Sequence, residues 1–476
     1  MKHLLMPGGL VPLSCLLAVL LLAGSQLPAA DTDPLADLLV RKGVISSEEA
    51  SSLKGESQPA LAELLVRKGI ITRTEAENLD RPNGPDEAGP LHTKPAASPD
   101  PGKAMTGNLP LKRDPVVTSS INLSLYGYVK LDAIYDSQRT NNGNQARFVL
   151  PESGQGDDDV FSLTARQTRL GLRVSAPVRD DWEANGRIEI DFYGSGGENA
   201  AEPRTRLAYL SLNNGNWEFL AGQDYDTWNM VLPKTNNFAT GGFHGTLWSR
   251  RAQARATRTW SLGERSALAG SIGMARNVGL EDIDNAGDGL DGGEDSGLPI
   301  FQWNLLYSTG LEAGEARFSV GGQYGEEEVE RSLTDRDADF ITSMLMLSFD
   351  VPLTPALGLS GAAWAGENLG GFQGGIGQRI NLLRNTEIAA TGGWLQARYK
   401  TGQDLLFNLA VGMDNPEDSD LNQGGRSRNT TLSANVFWNF LPSTTWILEY
   451  QYLKTRYRQS ANASNNRWQS ALLMKF

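Results

Sequence analysis

The stretch Ile121–Asp136, INLSLYGYVKLDAIYD, alternates with a period of two. Ile121, Leu123, Leu125, Gly127, Val129, Leu131, Ala133 and Tyr135 fall on one face. Asn122, Ser124, Tyr126, Tyr128, Lys130 and Asp132 fall on the other. Such alternation marks a β-strand with one apolar and one polar face. The run is far longer than the roughly 5–6 residues usual in a soluble sheet. A tilted strand crossing a bilayer takes about 9–11 residues, so this one suits a barrel that projects past the membrane. Apolar-out, polar-in alternation is the transmembrane barrel pattern.

Downstream the pattern recurs in fifteen further segments, from Phe161–Ala176 to Trp468–Phe476, which makes sixteen strands. Bacterial barrels have even strand numbers, and one of this size encloses an aqueous channel. Leu432, Ala434, Val436, Trp438 and Phe440 oppose Ser433, Asn435, Phe437 and Asn439. Aromatics fall near segment ends, as interface girdles require: Trp182, Tyr193, Trp217, Trp260, Trp438, Phe440 and Trp446. A soluble sandwich or propeller would turn its apolar face to a core and would need no girdles. The chain of 476 residues, net charge −13 and 40% hydrophobic content has no long apolar run after its first thirty residues. Only a barrel could then span a membrane, because unpaired backbone groups cannot face lipid.

Upstream, residues 1–30 read as a secretory signal. Lys2 is the positive end, Leu10–Ala23 the apolar core, and Ser25–Ala30 the small-residue exit. Cys15, the only cysteine, lies inside it, so the mature chain has no thiol chemistry. Residues 31–79 carry a duplicated helical unit: LADLLVRKGVISSEEASSL from Leu35 and LAELLVRKGIITRTEAENL from Leu61. In each copy Arg-Lys-Gly ends one amphipathic helix and a capping box (Ser46 with Glu49; Thr72 with Glu75) opens the next. This reads as a periplasmic oligomerisation or envelope-contact module, or else as a self-contained pair of helical hairpins. Residues 80–118 are a proline-rich linker, and 119–476 are the barrel. The expected fold class is an all-β transmembrane barrel of about sixteen antiparallel strands behind a short α-helical periplasmic extension.

Several stretches together resemble one family: LYGYVKLDAIYD (Leu125–Asp136), ARQTRLGLR (Ala165–Arg173), RIEIDFYG (Arg187–Gly194), LAYLSL (Leu207–Leu212) and AGQDYDTW (Ala221–Trp228), with the terminal Phe476. They are similar to the DcaP-like trimeric outer-membrane porins of Gram-negative bacteria. The resemblance implies a sixteen-stranded barrel, a homotrimer, a helical N-terminal extension, and diffusion of small, often anionic, organic solutes. A terminal phenylalanine on an alternating strand resembles the signal read by the outer-membrane barrel assembly machinery. Expected partners are thus outer-membrane lipid and lipopolysaccharide, that machinery through Phe476, and small anionic solutes; no nucleic acid and no cofactor is expected.

In such a channel, pore width and lining charge set the function. The third long loop should fold inward, which selects Asp224–Gly245, with Asp224 and Asp226 at its start. On the following strand, Ala252, Ala254 and Ala256 share the outer face, which points Arg251 and Arg255 inward. Apolar parity switches within Phe161–Ala176. A bulge near Gln167–Thr168 would explain it and would aim Arg166, Arg169 and Arg173 inward, beside Arg187. Lys130 and Asp132 on the polar face of the first strand complete the candidate lining. An arginine ladder facing Asp224 and Asp226 would make a transverse field and favour anions. The alternative is that these arginines only pair with lumenal Glu189 and Asp191 and fill the wall. The acidic stretch Glu281–Gly297 lacks EF-hand spacing and reads as a solvated extracellular loop, bridged to lipopolysaccharide by divalent ions.

An enzyme is not expected. His3 and His92 lie outside the barrel, only His244 reaches it, and no GxSxG elbow is present. The remaining rival is a structural barrel that anchors an envelope layer through its helical repeats.

Overall fold

The computed structural model describes residues 121–151, 158–179, 181–277, 292–329 and 338–476. The signal, the duplicated unit, the linker and most of the acidic stretch lie outside the described residues.

The alternating stretch becomes strand β1, Asn122–Asp136. Fifteen further strands follow. They are β2 (Val160–Thr164 continued by Arg169–Arg179), β3 (Trp182–Asp191), β4 (Arg204–Asn213), β5 (Trp217–Tyr225), β6 (Arg250–Ser261), β7 (Ser266–Ala275) and β8 (Ile300–Leu311). Then come β9 (Gly314–Val329), β10 (Ala338–Pro352), β11 (Leu357–Glu367), β12 (Ala389–Thr401), β13 (Leu405–Pro416), β14 (Arg426–Leu441), β15 (Thr444–Tyr457) and β16 (Ala463–Lys475). Each pairs antiparallel with its neighbours, and β1 pairs with β16 across Tyr128–Asp136, so the sheet closes. The last residue completes the seam: Phe476 and Gly127 exchange backbone N–H···O bonds at 3.1 and 3.2 Å. Closure leaves the barrel wall without a free edge, the condition for a sheet in lipid.

Period-two alternation sets which side each residue takes. Leu123 is 68% exposed on the outer face of β1, whereas Lys130 and Asp132 on the inner face of the same strand are 2% and 1% exposed. Leu170, Ile188, Leu210, Phe219, Ile272, Phe301, Leu347 and Leu409 continue the apolar outer band. Trp182, Trp217 and Phe219 stack at the short-turn end, where Trp438 also meets Phe440 at a tilt and Trp446 edge-on. Tyr450 and Trp468 meet at a tilt, centroids 4.8 Å apart, nearer the long loops. Tyr193 departs from the expected girdle. It lies past the end of β3 and stacks inward on Phe238 at 4.8 Å, because the loop it begins turns over the barrel mouth.

The parity switch in β2 has a local cause. Between the pairs Asp132/Thr164 and Tyr128/Arg169, four steps of β1 face five of β2. The extra residue forms a turn at 165–168, closed by the Thr168 N–H on the Ala165 carbonyl at 3.0 Å. Side chains after the turn therefore change parity, and Arg169 and Arg173 take the inner face.

The loops at one end are two to four residues long, such as 402–404 and 442–443; those at the other end are mostly long. The third long loop, L3 (residues 226–249), and the sixth, L6 (residues 368–388), turn into the barrel. They meet through the Trp248 N–H on the Phe372 carbonyl and the Phe243 N–H on the Gln373 carbonyl. Trp228, Leu247, Leu369 and Phe372 pack with Met344, Met346, Trp364 and Trp394 of the wall into an apolar core. One side of the lumen is thus filled like the interior of a soluble protein.

Candidate pore constriction

L3 is laid along the wall from β8 to β16 by hydrogen bonds to inward-facing amides. The Thr227 N–H donates to Gln302, and the Trp228 indole N–H to Gln323 at 3.0 Å. Lys234 exchanges backbone bonds with the Gln396 side chain, and Asn435 donates to its carbonyl. At the far wall, Glu449 accepts from the Asn236 and Asn237 backbones at 2.7 and 2.8 Å. On the return, Gly245 has φ +100° and lies so close to the wall that a Cβ would strike the Gly393 carbonyl. Glycine fits both the left-handed backbone and the close approach.

What remains of the lumen is bounded by L3 and the wall from β1 to β6, and that wall is rich in arginine. Glu189 pairs with Arg169 (3.4 Å), Arg187 (2.9 Å) and Arg206 (2.9 Å). Asp191 pairs with Arg204 (2.8 Å) and Arg206 (2.7 Å). Four guanidiniums thus share two carboxylates. Arg187 and Arg204 keep 29% and 33% of their side chains open to solvent. Arg187 also donates to the Tyr126 hydroxyl at 2.6 Å, and Arg173 lies over the Tyr126 ring at 4.0 Å. Phe238 of L3 covers Arg206 at 5.2 Å, and Arg166 lies over Tyr193 at 5.2 Å. Arg250 has no carboxylate beside it among the described residues. Its Nε and Nη1 are buried without a hydrogen-bond partner, against Trp248 and Tyr225. Arg147, from the first long loop, faces Phe243 at 5.4 Å, and burial pulls its guanidinium down to about 10.

The sequence-derived candidates distribute unevenly over this geometry. Arg166, Arg169, Arg173 and Arg187 come together on the arginine wall. Lys130 and Asp132 pair at 3.0 Å beneath Gln167 and Gln469, away from open solvent. Arg251 and Asp226 form a buried pair at 3.0 Å under L6, with Phe372 over the guanidinium. Asp224 belongs to β5, not to L3, and pairs with Arg255 of the adjacent strand at 3.1 Å. The expected acidic loop opposite a basic wall is therefore not built. Asp224 lies in β5 in register with Arg251 of β6, and Asp226, the first residue of L3, pairs with Arg251, so both neutralise arginines on their own side.

Arg204, Arg206, Arg250 and Arg147 were not singled out from sequence. Arg204 precedes a register shift in β4 and Arg206 lies within it, where simple alternation loses phase. Arg250 adjoins Arg251, and strict alternation admits only one of two neighbours to the lumen; Arg250 enters because it begins its strand. Arg147 lies in a loop, where no periodicity operates. His244 is fully buried in L3, beside the Arg147 backbone. Burial pushes its imidazole down to about 3, so it stands neutral.

No family model matches the chain. No curated protein matches it either. Among solved structures, it is similar to the outer membrane channel DcaP of Acinetobacter baumannii, at 22% identity and a TM-score of 0.60, over 75% of this chain and 97% of that one. It is also similar to OmpF of Salmonella typhi, solved in complex with daunomycin, at 13% identity and a TM-score of 0.50, over 74% and 97%. The fold resemblance expected from Leu125–Trp228 is met: the chain has the fold of a sixteen-stranded outer-membrane channel barrel.

Proposed function

We propose that the protein is an outer-membrane porin that passes small hydrophilic, preferentially anionic, organic solutes by passive diffusion. The observation that carries this reading is the surplus of guanidinium over carboxylate on the wall opposite L3, where four arginines share Glu189 and Asp191 and Arg250 has no carboxylate at ion-pair distance among the described residues. Arginine stays charged at any physiological pH and forks onto carboxylates. In a confined space of lowered dielectric, that surplus attracts anions and repels cations. The apolar outer band supports residence in lipid, and the seam at Phe476 supports delivery by the barrel assembly machinery. A homotrimer, with the segment before β1 in the periplasm, belongs to the same reading.

Planar-bilayer recording of the purified protein under a salt gradient tests it. Discrete conductance steps with a reversal potential on the anion side are expected. Absence of conductance would return the chain to a structural envelope anchor, and a cation-side potential would overturn the anion preference.

A further inference from the structure

Below L3, at the short-turn end, the lumenal wall changes character. Inward positions on β12 to β16 are mostly polar higher up: Gln396, Asn435, Glu449, Gln469. At the bottom they become Leu406, Phe437, Ile447 and Leu473, which line a cavity of about 420 Å³. Apolar side chains on the wetted face of a barrel need a reason, since water contacts them at a cost in free energy. Three lysines ring the same cavity: Lys234 from the underside of L3, Lys400 from the end of β12 and Lys475 from the end of β16. None of the three has a carboxylate partner among the described residues, and one acid, Asp404, shares the rim.

Lys234 is aimed rather than loose. Its backbone is held by Gln396 through two bonds (2.9 and 3.1 Å) and by Asn435 at 2.9 Å. The ammonium then reaches the Phe437 ring, with Nζ 4.7 Å from its centroid. Burial, with the positive charges of Lys475 and Arg398, lowers the Lys234 ammonium from its ordinary value. An arriving anion would relieve that repulsion.

From the joining of an apolar floor to a three-lysine rim, we propose a second binding site, on the periplasmic side of the constriction, for an organic anion with an apolar body. The carboxylate or other anionic head meets Lys234, Lys400 and Lys475; the apolar body lies on Phe437, Ile447 and Leu473. Resting on the pore reading, the site acts as an exit station: a solute passes the arginine wall and is then held by different cations. Two sites of like charge in series let an anion leave the first without entering bulk water, the condition for attraction without trapping.

Titration calorimetry of the full-length protein in detergent, with 3-phenylpropionate and with propionate as probes, tests the site. Saturable binding of 3-phenylpropionate is expected, at least tenfold tighter than propionate. K234Q/K400Q/K475Q should weaken it tenfold or more, Lys234→Arg should preserve it, and Phe437→Ala should weaken it several-fold. Retention of the heat-modifiable folded band shows that each variant folds. Equal binding of both probes, unchanged binding in the triple variant, or loss on Arg206→Gln instead would overturn the proposal. Calorimetry needs no conduction. Binding without channel activity would sink the pore reading and leave the site; conduction without binding would do the reverse.

Discussion

The Glu449 carboxylate of β15 accepts the backbone N–H of Asn237, at the far reach of L3, with a distance of 2.8 Å. Its second oxygen accepts from Asn236 at 2.7 Å, and Asn435 supports it at 2.9 Å. One buried acid thus pins the constriction loop to the opposite wall. Bonds to a charged acceptor are each worth about 1.5–3 kcal/mol.

Glu449→Ala frees the far reach of L3. The pore should then show larger mean conductance and more current noise than the parent, with the folded band retained. Single-channel recording at fixed voltage checks this, and unchanged conductance and noise would show that L3 is held elsewhere.

Arg206 sits between Glu189 and Asp191, both buried. Arg206→Ala leaves two carboxylates with fewer partners. Removing one member of a buried ionic set costs roughly 3–5 kcal/mol. Reversal potential should move towards cations, and the temperature at which the folded band disappears should fall. A shift in neither would mean that water screens this wall.

Arg251 and the pair Arg166 with Arg169 should behave differently. The latter stand on the arginine wall, whereas Arg251 is locked to Asp226 under L6. Arg166→Ala with Arg169→Ala should shift reversal potential with a smaller loss of thermal stability than Arg251→Ala. Arg251→Ala should lower stability with a smaller shift in potential. Equal shifts from both would place Arg251 on the permeation path.

His244 makes stability depend on acid. Its folded-state value, about 3, lies below the ordinary 6.5, so between these pH values the unfolded chain binds a proton that the folded one refuses. Stability therefore falls as pH drops from 6.5 towards 3, and the loss is complete below that window. His244→Leu should flatten this part of the profile of unfolding temperature against pH. Persistence of the full slope would assign it to other groups.

Gly127 tests the seam. A Cβ there would meet the Arg169 carbonyl and the Phe476 ring. Gly127→Val should reduce the heat-modifiable folded fraction in outer membranes several-fold, and deletion of Phe476 should do likewise. Normal folded yield from both would show that the β1–β16 seam tolerates loss of its last pair.

Strand number, sidedness and the inward loop were legible because each rests on local rules. Alternation from Ile121 to Asp136 assigns lipid and lumen faces without any distant contact. The extra residue at 165–168 showed itself as a phase change between Leu163 and Leu170. The constriction was legible only in part. Arg169, Arg173 and Arg187 lie on clean alternation, but Arg166 lies in the turn at 165–168, and Arg204, Arg206 and Arg250 sit at a register shift or a strand end, where parity fails.

Sequence by itself determined that the chain closes into a sixteen-stranded barrel with an apolar outside, since a period of two repeated sixteen times leaves backbone groups no other way to pair in lipid. Tertiary structure alone decided which charges face one another. The course of L3 along β8 to β16, and the pairing of Asp224 and Asp226 with arginines of their own wall, depend on residues brought together across the lumen, which no spacing along the chain encodes.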